Sequence, residues 1–252
     1  MRRFLPHVTL LALLMPMAPA LAQEDGLRPT ADTPFSVRSA YPQERGRMAL
    51  QGFYGYARVP STRAHEVLPS LRLGVAEGFE FRLDASHSFR DDRDQTTITP
   101  GFRWRALEQQ GWRPAVAILG QVSAPLTSRP GTETELSVIT SHVTGRGPGN
   151  WGLHLNAGWV ARPDPAGNER RHGHRLGAAV SHVLNRDTLL VATMLHETGE
   201  RGQRDLHLVE AGFSRRLSEG LDLAFLAGTG LNRDSPRLRL RIGLKYSFSL
   251  GW

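Results

Sequence analysis

The stretch from Arg237 to Phe248, Arg-Leu-Arg-Leu-Arg-Ile-Gly-Leu-Lys-Tyr-Ser-Phe, constrains the chain more than any other. Leu238, Leu240, Ile242, Leu244, Tyr246 and Phe248 fall on one face of an extended strand, and Arg237, Arg239, Arg241, Gly243, Lys245 and Ser247 on the other. A period of two without a slip excludes a helix. A soluble sandwich strand also alternates, but it seldom sets a row of cations against an unbroken apolar face with aromatics at one end. Lipid on one side and water on the other account for both faces, which is the pattern of a transmembrane β-barrel strand.

The first residues read as an export signal. Arg2 and Arg3 form a charged start, Val8 to Met17 an apolar middle, and Ala20-Leu-Ala22 a small-residue cleavage site before Gln23. Pro6, Pro16 and Pro19 leave too short an apolar run for a membrane-spanning helix. Residues 1–22 are therefore expected to be a signal peptide, 23–45 a periplasmic lead-in rich in Pro, Asp, Arg and Ser, and 46–252 the barrel. The mean hydropathy of −0.33 does not argue against a barrel, because half of each lipid-facing strand is polar. The absence of cysteine excludes a disulfide-stapled secreted fold. The net charge of +7 falls to +5 once Arg2 and Arg3 are removed, and the remaining arginines are spread over alternating strands without a helix-borne cluster. Nucleic acid is thus not an expected partner.

Earlier segments repeat the final design. Met48, Leu50, Tyr54 and Tyr56 share a face, although Phe53 and Val59 on the other leave that register open. Phe79, Phe81, Leu83, Ala85 and Phe89 oppose Glu80, Arg82, Asp84, Ser86 and Ser88. Trp151, Leu153, Leu155, Ala157 and Trp159 oppose Gly152, His154, Asn156 and Gly158. The stretch from Asp205 to Leu217 changes phase near Val209, so either a bulge lies there or Leu206 and Leu208 point inward. Reversals fall at 76–78, 108–111, 145–149, 185–187 and 218–220, with longer connections such as 125–132 and 163–170 between them. The fold class is all-β: an antiparallel transmembrane β-barrel of about twelve strands, with short turns at the periplasmic end and longer loops outside. Phe79, Trp104, Trp112, Trp151, Tyr246 and Phe248 then lie toward the periplasmic end, and Phe89 and Trp159 toward the outer one.

The stretches Leu71 to Leu83, Pro100 to Arg105, Trp112 to Leu119 and Gly243 to Phe248 together resemble the outer-membrane transporters of the meta-pathway phenol-degradation family. The resemblance runs from about residue 46 and implies an outer-membrane channel for small aromatic or apolar compounds. It carries no catalytic or binding residues to transfer. The chain departs from the family pattern by continuing past Phe248 to Trp252, where a terminal aromatic suits the signal read by the barrel-assembly machinery.

The expected lumen is lined by Arg72, Arg82, Arg103, Arg105, Arg113, Arg175, Arg237, Arg239, Arg241 and Lys245 against fewer acids, Glu80, Asp84 and Asp222. A positive pore would favour small anions; the alternative is a small barrel closed by Arg–carboxylate ladders. A lipid hydrolase, phospholipase or lipid A deacylase, is the runner-up, prompted by Ser86-His87, Ser141-His142 and Ser181-His182. Strand neighbours point to opposite faces, so none of these is by itself a nucleophile–base pair. His172 and His174 share a face but lie among arginines, a poor metal site. The sequence therefore predicts a non-enzymatic channel without cofactor or metal, in the outer membrane of a Gram-negative bacterium. Its expected partners are lipid, lipopolysaccharide, the assembly machinery and a small solute.

Overall fold

The computed structural model describes residues 26–59, 62–90, 94–126, 131–165 and 167–251; the expected signal peptide lies outside them. These residues form twelve strands: Arg47–Arg58 (β1), Arg63–Ala76 (β2), Phe79–Arg90 (β3), Gln95–Leu107 (β4), Ala115–Pro125 (β5), Glu133–Val143 (β6), Trp151–Ala161 (β7), His172–Val183 (β8), Thr188–Glu197 (β9), Leu206–Ser218 (β10), Leu221–Gly230 (β11) and Leu238–Ser249 (β12). Each pairs antiparallel with its chain neighbours, and β1 pairs with β12 from Arg47↔Ser249 to Arg58↔Leu238, so the sheet closes into a barrel. Closure leaves no strand edge with unpaired N–H and C=O groups, which in hydrocarbon would cost several kcal/mol each.

The outer surface is apolar. Leu153, Leu155, Trp159, Ile242 and Leu244 are each about half exposed, while their strand neighbours turn inward. Phe79 pairs with Trp104 and Phe248 with Met48 at the end that carries the shorter connections, and Phe89 and Trp159 sit toward the opposite end. Trp112 lies in the β4–β5 connection and is 83% exposed. The connections sort less sharply than the sequence suggested, two to seven residues at one end and four to ten at the other.

Both open registers resolve. Phe53 faces the lumen and is buried, opposite Gly243, where a Cβ would stand 2.5 Å from the Phe53 ring. Leu206 and Leu208 also turn inward, with no register shift at Val209; the irregularity lies at Arg216/Ser218.

The main correction concerns residues 26–45. They do not lead in from outside the barrel but fold back within it as a plug. The segment meets the β6–β7 turn, where Gly147 N–H donates to the Leu27 carbonyl (2.8 Å). It runs up into the lumen and reverses, with Phe35 N–H on Asp32 O (2.9 Å) and Ser39 N–H on Ala31 O (2.6 Å). It then descends to Glu44 beside Gly74 at the start of β1. Ala31, Phe35, Val37, Ser39 and Ala40 are buried. Ala31, Phe35 and Val37 pack on Ala179, Val183, Leu189, Val191 and Leu226 of β8, β9 and β11. Ala40 and Tyr41 pack on Ala115, Ala117, Leu119 and Ile139 of β5 and β6. A segment with so few large apolar residues reads as loop, yet a curved wall can bury Phe35 and Val37 and partly cover Leu27 and Tyr41.

Candidate functional site: a plugged lumen with an open vestibule

The plug is held by wall side chains that satisfy its backbone. Between residues 36 and 40, three alternate N–H groups each meet a wall acceptor. Ser36 N–H donates to Glu210 Oε2 (3.0 Å), Arg38 N–H to Asn156 Oδ1 (2.8 Å) and Ala40 N–H to Ser141 Oγ (2.8 Å). Asn156 Nδ2 returns a bond to the Arg38 carbonyl (2.7 Å), and Gln43 N–H donates to Glu80 Oε2 (2.7 Å). Two wall glycines make room for the plug backbone. A Cβ on Gly74 would lie 1.8 Å from the Glu44 carbonyl oxygen, and one on Gly152 2.3 Å from that of Pro29.

The predicted lumen cations divide into three groups. Arg103, 3% exposed, is the central clamp. Its Nη1 donates to Asp32 Oδ1 (2.9 Å) and to the Ser39 carbonyl (2.9 Å), and its Nη2 to Glu80 Oε2 (2.7 Å). Arg239 donates to Ser36 Oγ (3.0 Å) and Glu210 (2.9 Å); Arg241 donates to the Pro34 carbonyl (3.2 Å) and to Glu66 (2.7 Å). These three touch the plug, as does Arg72, whose Nη2 donates to Thr33 Oγ1 (3.4 Å). A second group is paired with the wall: Arg72 with Asp84 (2.6 Å), Arg82 with Asp84 (2.9 Å), and Arg175 with Glu197 (2.8 Å) and Glu135. Arg105 pairs with Glu108 (2.5 Å), and Lys245 lies 3.7 Å from Asp222. The last two leave the expected row. Arg113 is exposed in the turn before β5, because the strand starts only at Ala115, beyond Pro114. Arg237 is exposed at the rim before β12.

The acids alter the electrostatics. Glu66, Glu133, Glu135, Glu197 and Glu210 all face inward in addition to Glu80 and Asp84, and the plug adds Asp32. Of the two lumens left open by the sequence, a net positive pore and one crossed by Arg–carboxylate ladders, the paired side chains match the second. These glutamates could have been found by carrying the inward phase through β2, β6, β9 and β10.

Above the plug lies a cavity of about 900 Å³ that opens at the loop end. Thr33, Phe35, Ser36 and Arg38 form its floor. Ser70, Ser86, Ser88, Thr99 and Ser123 supply hydroxyls from β2 to β5, and Arg175, Arg239 and Arg241 supply charge.

Of the serine–histidine neighbours, Ser141 and Ser181 turn inward and are buried, whereas His182 stacks on Trp151 outside, with ring centroids 4.0 Å apart. A different histidine joins the two serines: His154 Nδ1 is 2.8 Å from Ser141 Oγ and its Nε2 3.0 Å from Ser181 Oγ. His154 is completely buried, so this trio supports the wall where the plug docks. His172 stacks on Trp159 (5.4 Å), and His174 Nε2 lies 3.0 Å from His196 Nε2 on β9, a contact across strands that sequence spacing does not reveal. His196 is 3.9 Å from Asp205, whose carboxyl is held below the usual range chiefly by the Gly199 N–H. Among the described residues no group of three or more His, Asp or Glu gathers closely enough to hold a metal ion.

No protein-family model and no curated protein matches the chain. Solved structures do. The COG4313 outer membrane channel from Pseudomonas putida F1 superposes with a TM-score of 0.62 at 12% identity, covering 83% of this chain and 98% of that one. The KdgM porin gives 0.56 at 11% (79% and 99%), and the NanC porin 0.55 at 12% (79% and 98%). The fold is that of outer-membrane porins. At such identities the likeness extends to the architecture, and the lumen charges are this chain's own.

Proposed function

We propose that this protein is an outer-membrane channel that admits small polar solutes by passive diffusion and is held nearly shut by its own segment 26–45. The observation that carries this is the polar cavity of about 900 Å³, open at the loop end and floored by the plug, inside a wall whose outer face is apolar. The names of the similar structures, two porins and a channel, support the same class. We take the chain to be exported, cleaved near Gln23 and assembled through its final strand, with lipopolysaccharide against the loop-end rim. Kinship to the phenol-degradation transporters belongs to this proposal too. An anionic solute is less well supported than the arginine row alone suggested, because the inward glutamates offset it. We also take the channel to be non-enzymatic: Ser141 and Ser181 sit buried against the plug rather than on the lipid face.

Swelling of liposomes containing the full chain tests the channel. Slow uptake of small polar solutes is expected, accelerated several-fold by Asp32→Asn, which removes one partner of the Arg103 clamp. The second reading, a structural barrel with a permanent plug, is favoured by the two apolar clusters that join plug and wall. Absence of uptake in both proteins would select it.

A further inference from the structure

We infer that the vestibule is a binding site for a zwitterionic solute, a small molecule with a cationic and an anionic end; this rests on the channel reading above. The ground is an uneven placement of charge around the cavity. In the twelve-strand circuit β6 stands six places from β12, and β9 six places from β3, so each pair faces across the lumen.

On the β6–β9 side, four carboxylates line the cavity: Glu133 and Glu135 from β6, Glu197 at the end of β9, and Glu200 just beyond it. Two guanidiniums answer them. Arg175 is shared among three, bonding Glu197 through Nε (3.1 Å) and Nη2 (2.8 Å), contacting Glu135 and standing 3.8 Å from Glu133; Arg162 pairs with Glu133 from behind. Counting the cavity lining together with Arg162, this side is two negative charges over, with Arg170 at the rim on the Gly199 carbonyl (3.1 Å) and Arg239 acting on Glu197 from across the lumen.

On the facing side Arg239 and Arg241 from β12 and Arg38 from the plug line the cavity against Glu66 and Asp84. Arg72 and Arg82 stand behind Asp84, Glu210 offsets Arg239, and Arg103 beneath the floor is shared by Asp32 and Glu80. Six guanidiniums thus meet five carboxylates, one positive charge over. At the mouth, Asp234 is matched by Arg233 at 3.6 Å.

A polar cavity enclosed by low-dielectric walls keeps such a field from being screened as it would be in bulk water. A solute of one sign meets repulsion on one side. A dipolar one can place its cation against the Glu133–Glu197 side and its anion toward Arg38, Arg239 and Arg241. Between the two sides, Ser86, Ser88, Thr99 and Ser123 offer hydrogen bonds without charge.

The test uses the full chain in detergent micelles and four matched five-carbon probes: 5-aminopentanoate, pentanoate, pentylammonium and pentane-1,5-diol, with affinities from saturation-transfer NMR. The aminopentanoate should bind at least fivefold more tightly than either singly charged probe. In the Glu133→Gln, Glu197→Gln double variant its advantage over pentanoate should vanish, and in Arg241→Gln its advantage over pentylammonium should shrink. Heat-modifiable migration confirms that each variant keeps its barrel. Pentanoate or pentylammonium binding as tightly as the zwitterion, or equal binding of all four, would overturn the proposal. Liposome swelling keeps the two readings apart: zwitterion binding without swelling removes the channel and leaves the site, whereas swelling without discrimination removes the site and leaves the channel.

Discussion

Strand β12 and the segment 26–45 meet inside the barrel, where Arg239 reaches Ser36 and Arg241 reaches the Pro34 carbonyl. They were formed under opposite rules. In β12 two solvents impose a period of two, and each residue's face follows from its number. The plug has no such surroundings. Apart from the face that floors the cavity, it is packed against the barrel wall, and its residues answer to whichever wall side chains stand opposite. A strand that divides lipid from water carries its environment in its own spacing, whereas a segment that fills a lumen borrows its environment from strands far away in the chain.

That contrast can be tested at four places. The largest effect is expected at the clamp. Removing one partner of a buried ion pair typically costs about 3–5 kcal/mol, so Arg103→Ala should strip that much from plug docking. Hydrogen exchange should then rise across 26–45 and conductance should increase, while heat-modifiable migration of the barrel stays as it was. Protection of 26–45 at the parent level would show that the clamp does not hold the plug.

Next comes the lipid face. An arginine near mid-membrane on a barrel's outer surface costs roughly 2–4 kcal/mol. Ile242→Arg should therefore lower the guanidinium midpoint of the whole barrel and leave the plug's relative protection unchanged. A selective loss at 26–45 would mean that wall and plug are not separable in this way.

A smaller, local change is expected at Gly152, where an added methyl meets the Pro29 carbonyl. Overpacking of this kind costs about 1–3 kcal/mol. Gly152→Ala should raise exchange near residues 27–31 ahead of the rest of the plug, and uniform exchange would count against the close approach. The smallest effect is expected at Arg237, exposed at the rim: Arg237→Gln should alter neither the unfolding midpoint nor plug protection, unlike the same change at Arg239, which would remove the guanidinium donor shared by Ser36 and Glu210.

Much of the wall was legible. Trp151 to Trp159 and Leu238 to Phe248 point as their spacing predicts, and Phe53 turned inward because Gly243 leaves it room. The site was only partly legible. The arginines drew notice because three of them alternate in the final stretch, while the partners of Arg239 and Arg241, Glu210 and Glu66, come singly from β10 and β2. The plug left a fainter mark. Gly74 and Gly152 sit on inward positions where a side chain would ordinarily fill the lumen, and such gaps signal a backbone passing close by. The His154 bridge between Ser141 and Ser181 needed the register of three strands at once.

By itself the sequence determined a closed, twelve-stranded wall and which side chains face hydrocarbon, because alternation is local and a one-residue slip would turn every side chain of a strand to the wrong solvent. Only the tertiary structure decided what fills the lumen and what charge it presents. Both depend on groups brought together from opposite sides of the ring, and no spacing along the chain encodes the distance across it.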